Sequence, residues 1–356
     1  MKLSAVFFSC RHRAFLSEAL ASLAGQQGIE WHDVVLCDDG SNDGSQEILR
    51  EFAERESVRM RVKLVLHPVN VGWAESLRRG LAEAEGDLFV IFSGDDISEP
   101  DRAAVLRDRF LADPGRIRYL CSNAMVVDRA GQPQGLFFLP EWNLNLLAGQ
   151  LIGNMSGALG ATEAIHRDLR DRFEPMPAGV YQEDLVFPFR AALIGRGEYI
   201  DRPLVRYRAH EHNMYQNSGI HASREVYRTT QAKRVTNQIG IARLRLQDIE
   251  RALGRGWIDA SLANAIRPTG ERTLRSLLVE LEVFTALGMR PWKSIVTGWF
   301  DGVPFTRVLR FAVMHVSPRL LEFILSFVRG RKNHGGVAGQ VRRNPHPPAG
   351  AIMAVE

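Results

Sequence analysis

Short apolar runs alternate with amphipathic segments through the first hundred residues of the chain. Four such runs lie at residues 3–8, 34–37, 62–66 and 88–92. They are too brief for ordinary helices, and their nearly continuous apolar character predicts strands that are buried on both faces of a parallel sheet. Between the runs, apolar residues recur at helical spacing. Trp73, Leu77 and Leu81, for example, give one predicted helix a single apolar face.

Repeated β-α units of this length predict an α/β fold in which right-handed crossovers join parallel strands. Polar residues follow shortly after each predicted strand. They are Ser9, Asp38, Asp39, Asn70, Asp95 and Asp96. Ligands bind outside the carboxyl ends of the strands in such sheets, because loops there carry polar groups without burying them unpaired. We therefore expect these side chains to form a ligand site along one edge of the sheet.

Two adjacent carboxylates, Asp95 and Asp96, end the fourth run. Carboxylate oxygens suit Mg²⁺ or Mn²⁺, and such an ion normally accompanies a phosphate group. The structural alternative is a polar turn in which Ser98 caps the next helix. In that case Pro100 lies in the first helical turn and Asp101 completes the cap.

The composition is that of a soluble globular protein. The 356 residues are 45% hydrophobic and 24% charged, and the net charge is +4. The chain contains neither a Gly-x-Gly-x-x-Gly motif after the first strand nor a Walker-type loop, so nothing favours a dinucleotide cofactor or a P-loop NTPase. The three cysteines are scattered, and the first apolar run is too short for a signal peptide. We therefore expect a cytoplasmic protein.

Three motifs occur in a characteristic order and spacing. They are Asp38-Asp39-Gly40-Ser41, Asn70-Val71-Gly72, and Ser93-Gly94-Asp95-Asp96 followed by Pro100-Asp101. With them the chain resembles the family 2 inverting glycosyltransferases, and the resemblance covers residues 1–215. It implies the glycosyltransferase A fold, which is a Rossmann-like, mostly parallel sheet with flanking helices. It also implies a bacterial enzyme of the polysaccharide or O-antigen type.

The resemblance assigns the polar sheet edge to a nucleotide-sugar donor. The implied binding residues are Ser9, Arg11, Asp38, Asp39, Asn70 and Asp95. Ser9 and Asp38 would hold the nucleobase, with Asp38 accepting a hydrogen bond from a base N–H, and Asp95 would lie near the ribose or the donor sugar. The chain departs from the family at two places. Ser93 replaces a frequent first acid of the metal motif, and Arg11-His12 replaces a frequent Tyr-Asn.

A second acidic pair, Glu183-Asp184, opens a predicted apolar helix. From the residues alone, this is a helix start at which the macrodipole favours negative charge. By resemblance the pair carries the catalytic base. We assign that role to Asp184, with Glu183 as the second candidate or as a partner that orients donor or acceptor. Inverting transfer needs such a base at the acceptor hydroxyl, opposite the leaving diphosphate. We expect Asp184 to be held rigidly and to remain ionised.

The segment Arg208-Ala209-His210 matches an Arg-x-His motif that related transferases often carry after the acidic pair. The resemblance implies that Asp96 ligates the metal on the diphosphate, with Asp95 and His210 as further ligands. Imidazole is compatible with Mn²⁺, although Mg²⁺ prefers oxygen ligands. The predicted cofactor is therefore Mn²⁺ or Mg²⁺. A surface loop with an incidental histidine is the structural alternative.

The chain changes character after the predicted catalytic domain. We predict a catalytic domain over 1–222 (nucleotide-sugar half 1–101, acceptor half 102–222), a mainly helical region over 223–332 and a disordered tail over 333–356. Residues 292–328 mix apolar and aromatic residues with arginine. No run there reaches the roughly 18 apolar residues that a membrane span requires. The segment fits either an interfacial helix on a membrane or a helix packed on the core or on another subunit.

Together these features predict a metal-dependent inverting glycosyltransferase of cell-envelope polysaccharide synthesis. The donor would be a UDP- or dTDP-sugar and the acceptor a glycan or lipid-linked hydroxyl, with the inner membrane as a candidate surface. A nucleotidyltransferase is one alternative, but the glycines of its N-terminal loop are absent beside Arg11 and Arg13. A non-catalytic sugar-nucleotide or glycan-binding protein is another, motivated by Ser93 and Arg11-His12. A nucleic-acid partner is not expected, because the basic residues cluster beside apolar helices.

Overall fold

The structure is a computed structural model that describes residues 1–137, 148–153, 158–210, 224–285 and 341–342. The strands are β1 Leu3–Ser9, β2 Trp31–Asp38, β3 Val62–Leu66, β4 Leu88–Ser93, β5 Ile97–Ser98, β6 Ile117–Val127, β7 Pro133–Phe137, β8 Ala164–His166, β9 Arg196–Arg208 and β10 Val341–Arg342. The helices are α1 Leu16–Ala24, α2 Ser45–Glu56, α3 Trp73–Glu83, α4 Arg102–Ala112, α5 Ala148–Leu151, α6 Asp168–Asp171, α7 Glu183–Ile194, α8 Arg224–Gly254 and α9 Ala260–Thr285. A short 3₁₀ turn covers Gly160–Thr162.

One sheet joins these strands in the order β10-β7-β6-β8-β4-β1-β2-β3, with β9 beside β6 and β5 beside β9. The neighbours β4, β1, β2 and β3 are all parallel, which confirms the predicted β-α units of the first hundred residues. Beyond β4 the sheet becomes mixed, since β8 runs antiparallel to both β4 and β6. The fold is therefore the predicted α/β sheet with flanking helices.

The strand order reverses beside β1, and this places the polar edge at the centre of the sheet. The chain adds β2 and β3 on one side of β1 and then returns to add β4 on the other side. Ser9 pairs with Asp38 across β1 and β2, while Phe8 pairs with Ser93 across β1 and β4. Ligands of open α/β sheets bind at such a reversal.

The two faces of β1 build two separate apolar cores. Phe8 packs with Leu77 of α3 and Phe187 of α7 on one face. Phe7 packs with Leu20 of α1 on the other face. Burying a phenylalanine side chain contributes roughly 1.5–3 kcal/mol, so the alternating apolar residues of β1 fix the sheet between its helical layers.

The helix after the first acidic pair begins later than predicted. Ser98 lies in β5, where it pairs with Val205 of β9, and its hydroxyl accepts a hydrogen bond from Arg102 Nη1 at 2.8 Å. Helix α4 starts at Arg102, and no side chain caps it from the N-cap residue Asp101. The structural alternative in which Ser98 caps this helix is therefore not observed, because pairing with β9 holds Ser98 in a strand.

Helices α8 and α9 form an antiparallel pair that packs on the sheet domain. Arg228 near the start of α8 donates to the backbone oxygen of Phe284 near the end of α9, at 3.0 Å through Nη2. Helix α8 also packs on α7, where Ile241 and Leu244 contact Leu185. Among the helices described, none combines the length and apolar content that a membrane span requires. The predicted interfacial segment 292–328 and the predicted tail lie outside the described residues, apart from β10.

Candidate active site

The turns after β2 and β3 interlock through Asp39. Asn70 Nδ2 donates to Asp39 Oδ2 at 3.0 Å, and the backbone N–H of Val71 donates to Asp39 Oδ1 at 2.7 Å. Gly40 has a φ of +70°, and a Cβ there would lie 2.1 Å from the backbone of Val69. Only glycine fits this approach. The Asp-Asp-Gly-Ser and Asn-x-Gly motifs therefore form one rigid unit.

Asp38 is fully buried beneath this unit and organises the first turn. Its Oδ1 accepts hydrogen bonds from the Ser41 backbone N–H at 2.8 Å and from Gln46 Nε2 at 3.0 Å. Its Oδ2 accepts one from the Ser41 hydroxyl at 2.7 Å. Each carboxylate oxygen can accept more than one hydrogen bond, so these contacts leave Asp38 able to accept another from a nucleobase N–H. That contact stays a prediction.

Ser9 and Arg11 lie at the end of β1 and the loop that follows it. The Ser9 hydroxyl is buried and has no hydrogen-bond partner among the residues that the structure describes. A buried polar group without a partner is costly, so this hydroxyl is a natural contact for a ligand. Arg11 has a φ of +58°, and its backbone N–H donates to the Ser41 hydroxyl at 2.7 Å. A non-glycine residue in this region is strained, and such strain is common at functional sites.

Asp95 lies between two histidines at the end of β4. His210 Nε2 is 3.0 Å from Asp95 Oδ2, and His12 Nε2 is 3.6 Å from the same oxygen. The Ser93 hydroxyl donates to the other oxygen, Oδ1. Burial acts to raise the pKa of Asp95, but His12, His210 and Ser93 together lower the pKa to about 2. Asp95 is therefore a carboxylate under ordinary conditions.

Asp96 occupies a different environment from its neighbour. The backbone N–H of Arg208 donates to Asp96 Oδ1 at 2.8 Å, and Arg208 Nε donates to the backbone oxygen of Asp95 at 3.1 Å. Burial, followed by the negative charge of Asp95, raises the pKa of Asp96 well above its ordinary value. The pairing of β5 with β9 delivers Arg208 to this place.

The predicted metal ligands are neighbours but do not converge. His210 contacts Asp95, whereas one oxygen of Asp96 turns to the Arg208 backbone. Over the ranges that the structure describes, no three His, Cys, Asp or Glu side chains surround a common point as the ligands of an ion would. The assignment of Asp95, Asp96 and His210 to a metal stays a prediction.

Glu183 connects the second acidic pair to the nucleotide edge. It is buried at the start of α7, and its Oε2 accepts a hydrogen bond from Trp73 Nε1. Trp73 begins α3 directly after the Asn70-Val71-Gly72 turn. Burial raises the pKa of Glu183 to about 7, against the opposing effects of the backbone and of Trp73.

Asp184 is only partly exposed beside Glu183. Burial and then the charge of Glu183 raise the pKa of Asp184 well above its ordinary value, while Arg245 of α8 acts in the opposite direction. Burial thus acts against the expected ionisation of Asp184, because it disfavours the charged carboxylate that the helix start favours. A raised pKa suits a general base, since the best catalytic pKa lies near the working pH.

A third buried acid, Glu163, was not anticipated from the sequence. It lies just before β8, fully buried, and accepts a hydrogen bond from the Tyr119 hydroxyl at 2.6 Å. Burial, Glu183 and Asp184 all raise its pKa well above the ordinary value. The sequence feature that points to Glu163 is its position as the single acid in residues 158–165, where the other residues are small or apolar. Three acids therefore share one buried region on the α7 face of the sheet.

Comparisons with known proteins relate the first part of the chain to glycosyltransferases. Residues 4–120 match the family model described as "Glycosyl transferase family 2". The chain is 31% identical over 134 residues to the O-antigen biosynthesis protein RfbC of Myxococcus xanthus, covering 38% of this chain and 10% of that protein. It is 30% identical over 145 residues to the cholesterol galactosyltransferase of Borreliella burgdorferi, covering 41% and 39% respectively. The chain thus spans less than half the length of these relatives.

Solved structures share the fold over most of the chain. A crystal structure of S. aureus TarS 1-349 superposes with a TM-score of 0.55 at 18% identity, covering 93% of this chain and 88% of that one. The same fragment in complex with UDP-GlcNAc gives a TM-score of 0.51 at 19% identity. This likeness confirms the predicted fold.

Proposed function

We propose that the protein is a family 2 glycosyltransferase that transfers a sugar from a nucleoside-diphosphate sugar to an acceptor hydroxyl with inversion. Residues 4–120, which match the model of that family, support this proposal. The observation that carries this proposal is the link between the second acidic pair and the helix that follows the Asn70-Val71-Gly72 turn. The Trp73–Glu183 hydrogen bond fixes the α7 carboxylates beside the turns that would hold a nucleotide. The proposal thus assigns the donor to the polar edge of the sheet and the base to the adjoining start of α7.

The donor side is assigned from the polar edge of the sheet. Ser9 offers a buried hydroxyl that no described residue hydrogen-bonds. Asp38 and Asp39 lie in the adjoining turn, where they accept backbone hydrogen bonds from Ser41 and Val71. Arg11 lies exposed beside them and would face the diphosphate. The TarS fragment is a protein of this fold that binds UDP-GlcNAc. We assign a UDP- or dTDP-sugar as donor, with Asn70 and Asp95 completing the binding set.

We assign a divalent cation to the first acidic pair on the charge of its residues. Two adjacent buried carboxylates repel each other, and the raised pKa of Asp96 reflects this repulsion together with burial. An Mn²⁺ or Mg²⁺ ion held by Asp96, Asp95 and His210 would offset the charge that develops on the leaving diphosphate. Oxygen donors and one imidazole suit Mn²⁺ well.

The reaction also needs a general base at the acceptor hydroxyl, on the side of the donor sugar opposite the leaving diphosphate. The acceptor oxygen forms a bond to the anomeric carbon while the bond to the diphosphate breaks, and the leaving group takes that electron pair. Asp184 accepts the acceptor proton, and Glu183 orients the substrates. Since the acceptor attacks opposite the leaving group, the anomeric configuration inverts. The relative of the O-antigen pathway supports a glycan or lipid-linked acceptor of the cell envelope. We also propose that the protein associates peripherally with the inner membrane surface.

The direct test is release of nucleoside diphosphate from a panel of UDP-, dTDP- and GDP-sugars by the purified protein, with and without EDTA. We expect release from a UDP- or dTDP-sugar that EDTA abolishes. A nucleotidyltransferase would instead consume nucleoside triphosphate with a sugar phosphate. Nucleotide binding without any release would overturn the proposed enzyme in favour of a binding protein.

Gly160 allows Glu183 to be displaced without changing its chemistry. A Cβ on residue 160 would lie 2.3 Å from Glu183 Oε1, the far end of a flexible side chain. We expect Gly160→Ala to move Glu183 away from Trp73 and to lower turnover roughly 10- to 100-fold, as small misplacements at active sites do. Stability should change little, because the side chain can yield. Turnover and melting temperature measure the two effects.

Gly115→Ala is the matched control for this variant, because a Cβ there meets nothing within 4 Å. It should behave like the wild type. Equal turnover in the Gly160 and Gly115 variants would contradict the position assigned to Glu183.

A further inference from the structure

We propose that helix α8 is part of the catalytic site, in which Asn237 and Arg245 are positioning residues that hold segment 181–185 around the second acidic pair. This inference rests on the proposed function and extends it beyond residues 4–120, which match the family. Both residues are buried where α8 packs on α7, and each is 1% exposed.

Asn237 holds the chain immediately before the acidic pair. Its Oδ1 accepts a hydrogen bond from the backbone N–H of Tyr181 at 2.8 Å, and its Nδ2 donates to Gln182 Oε1 at 2.6 Å. Gln182 is the N-cap residue of α7, but its own side chain does not cap the helix. The start of α7 is therefore fixed by contacts from α8.

Arg245 holds the chain immediately after the pair. Its Nη2 donates to the backbone oxygen of Leu185 at 2.6 Å, and its Nη1 donates to that of Leu151 at 2.7 Å. Asn237 and Arg245 are eight residues apart, which is about two helical turns and roughly 12 Å along the axis, so they share one face of α8. The two side chains bracket Glu183 and Asp184 from both ends.

Arg245 also places a positive charge near Asp184. The titratable groups that face Asp184 are Glu183 on its own helix, Glu163, Tyr119 and Cys121 from the sheet side, and Arg245 from α8. The nearby acid of α8, Asp248, is paired with Arg190 at 2.8 Å. Burial lowers the pKa of Arg245 to about 10, so the guanidinium stays charged at neutral pH. Its charge favours the ionised form of Asp184, which is the form that accepts a proton.

The charge is tested by comparing Arg245→Met with Arg245→Lys. Loss of the charge disfavours ionised Asp184, so we expect the acidic limb of the kcat–pH profile to move up by about one pH unit in Arg245→Met. Arg245→Lys keeps the charge, so the acidic limb of its kcat–pH profile should return to the wild-type position. Its turnover should stay low, because lysine lacks the guanidinium that donates to two backbone carbonyls. Arg243→Met is the matched control, an exposed arginine on the same helix.

Asn237→Ala provides an independent test should the Arg245 variants fail to fold. We expect kcat to fall roughly 10-fold with the donor KM unchanged, as a positioning defect predicts. Hydrogen exchange of the amides in 181–185 should become faster, and this readout does not depend on activity. Thr236→Ala, an exposed neighbour on α8, should match the wild type in both measurements.

The possible failures are distinct. If the variants fold and show wild-type kcat, pH profile and amide exchange, the role of α8 is overturned. The proposed function stands in that case, provided that the wild type is active. A wild type that releases no nucleoside diphosphate from any donor would overturn the proposed function itself.

Discussion

Replacing Asp184 by asparagine should lower kcat roughly 10²- to 10⁴-fold, the range expected when a general base is removed. Donor affinity should stay nearly unchanged, because Asp184 lies on α7, whereas the assigned donor contacts lie after the ends of β1, β2, β3 and β4. The amide fills the same space but accepts no proton at neutral pH. Steady-state kinetics with the donor identified by the panel measure both quantities.

Two further variants sharpen this test. Glu183→Gln should lower kcat less than Asp184→Asn does if Asp184 is the base. A larger loss of kcat in Glu183→Gln would instead make Glu183 the base. Asp108→Asn, an exposed acid on α4, should leave kcat unchanged. Loss of donor binding with preserved turnover in Asp184→Asn would falsify the assignment.

The same base sets the pH dependence of the wild type. Burial and Glu183 raise the pKa of Asp184 above its ordinary value of 3.8, so its ionised form is lost at a higher pH than for a free aspartate. Since only the ionised form accepts a proton, kcat should decline on acidification well before pH 3.8 is reached.

Asp96→Ala should abolish metal-dependent stabilisation by nucleotides. A ligand at 100 times its Kd stabilises the native state by about 2.7 kcal/mol, so UDP or dTDP with Mn²⁺ should raise the wild-type melting temperature clearly. The variant lacks the carboxylate assigned to the ion and should show no Mn²⁺-dependent shift. Differential scanning fluorimetry with each nucleotide, with and without Mn²⁺, measures this.

Asp108→Ala serves as the control and should shift like the wild type, because its side chain is exposed on α4. A Mn²⁺-dependent shift of full size in Asp96→Ala would remove Asp96 from the metal site. If nucleotides raise the melting temperature equally with and without Mn²⁺ in the wild type and both variants, no metal binds at this place.

The nucleotide half of the fold was predictable because its signals are local. Each of the first four strands is a short apolar run, and the turn motifs follow directly along the chain, so parallel pairing alone brings them to one edge. The family resemblance then supplied roles that no single motif carries. The helix starts at Trp73 and Glu183 were also evident from apolar spacing and flanking residues.

The rest of the site depends on contacts between distant parts of the chain. The Trp73–Glu183 hydrogen bond joins residues 110 positions apart, and Asn237 reaches back 56 positions to Tyr181. Nothing in the local sequence indicates such pairs. The strand pairing of Ser98 with β9 and the burial that raises the pKa of Asp184 also arise from contacts between distant parts of the chain.

The central claim is that Asp184 acts opposite the leaving diphosphate in a single displacement. Proton NMR of the sugar transferred or released from an α-linked donor, recorded before mutarotation, tests this most directly. The account predicts a β-configured product from the wild type and almost none from Asp184→Asn. A product that retains the α configuration would contradict single displacement and the role of Asp184 as its base.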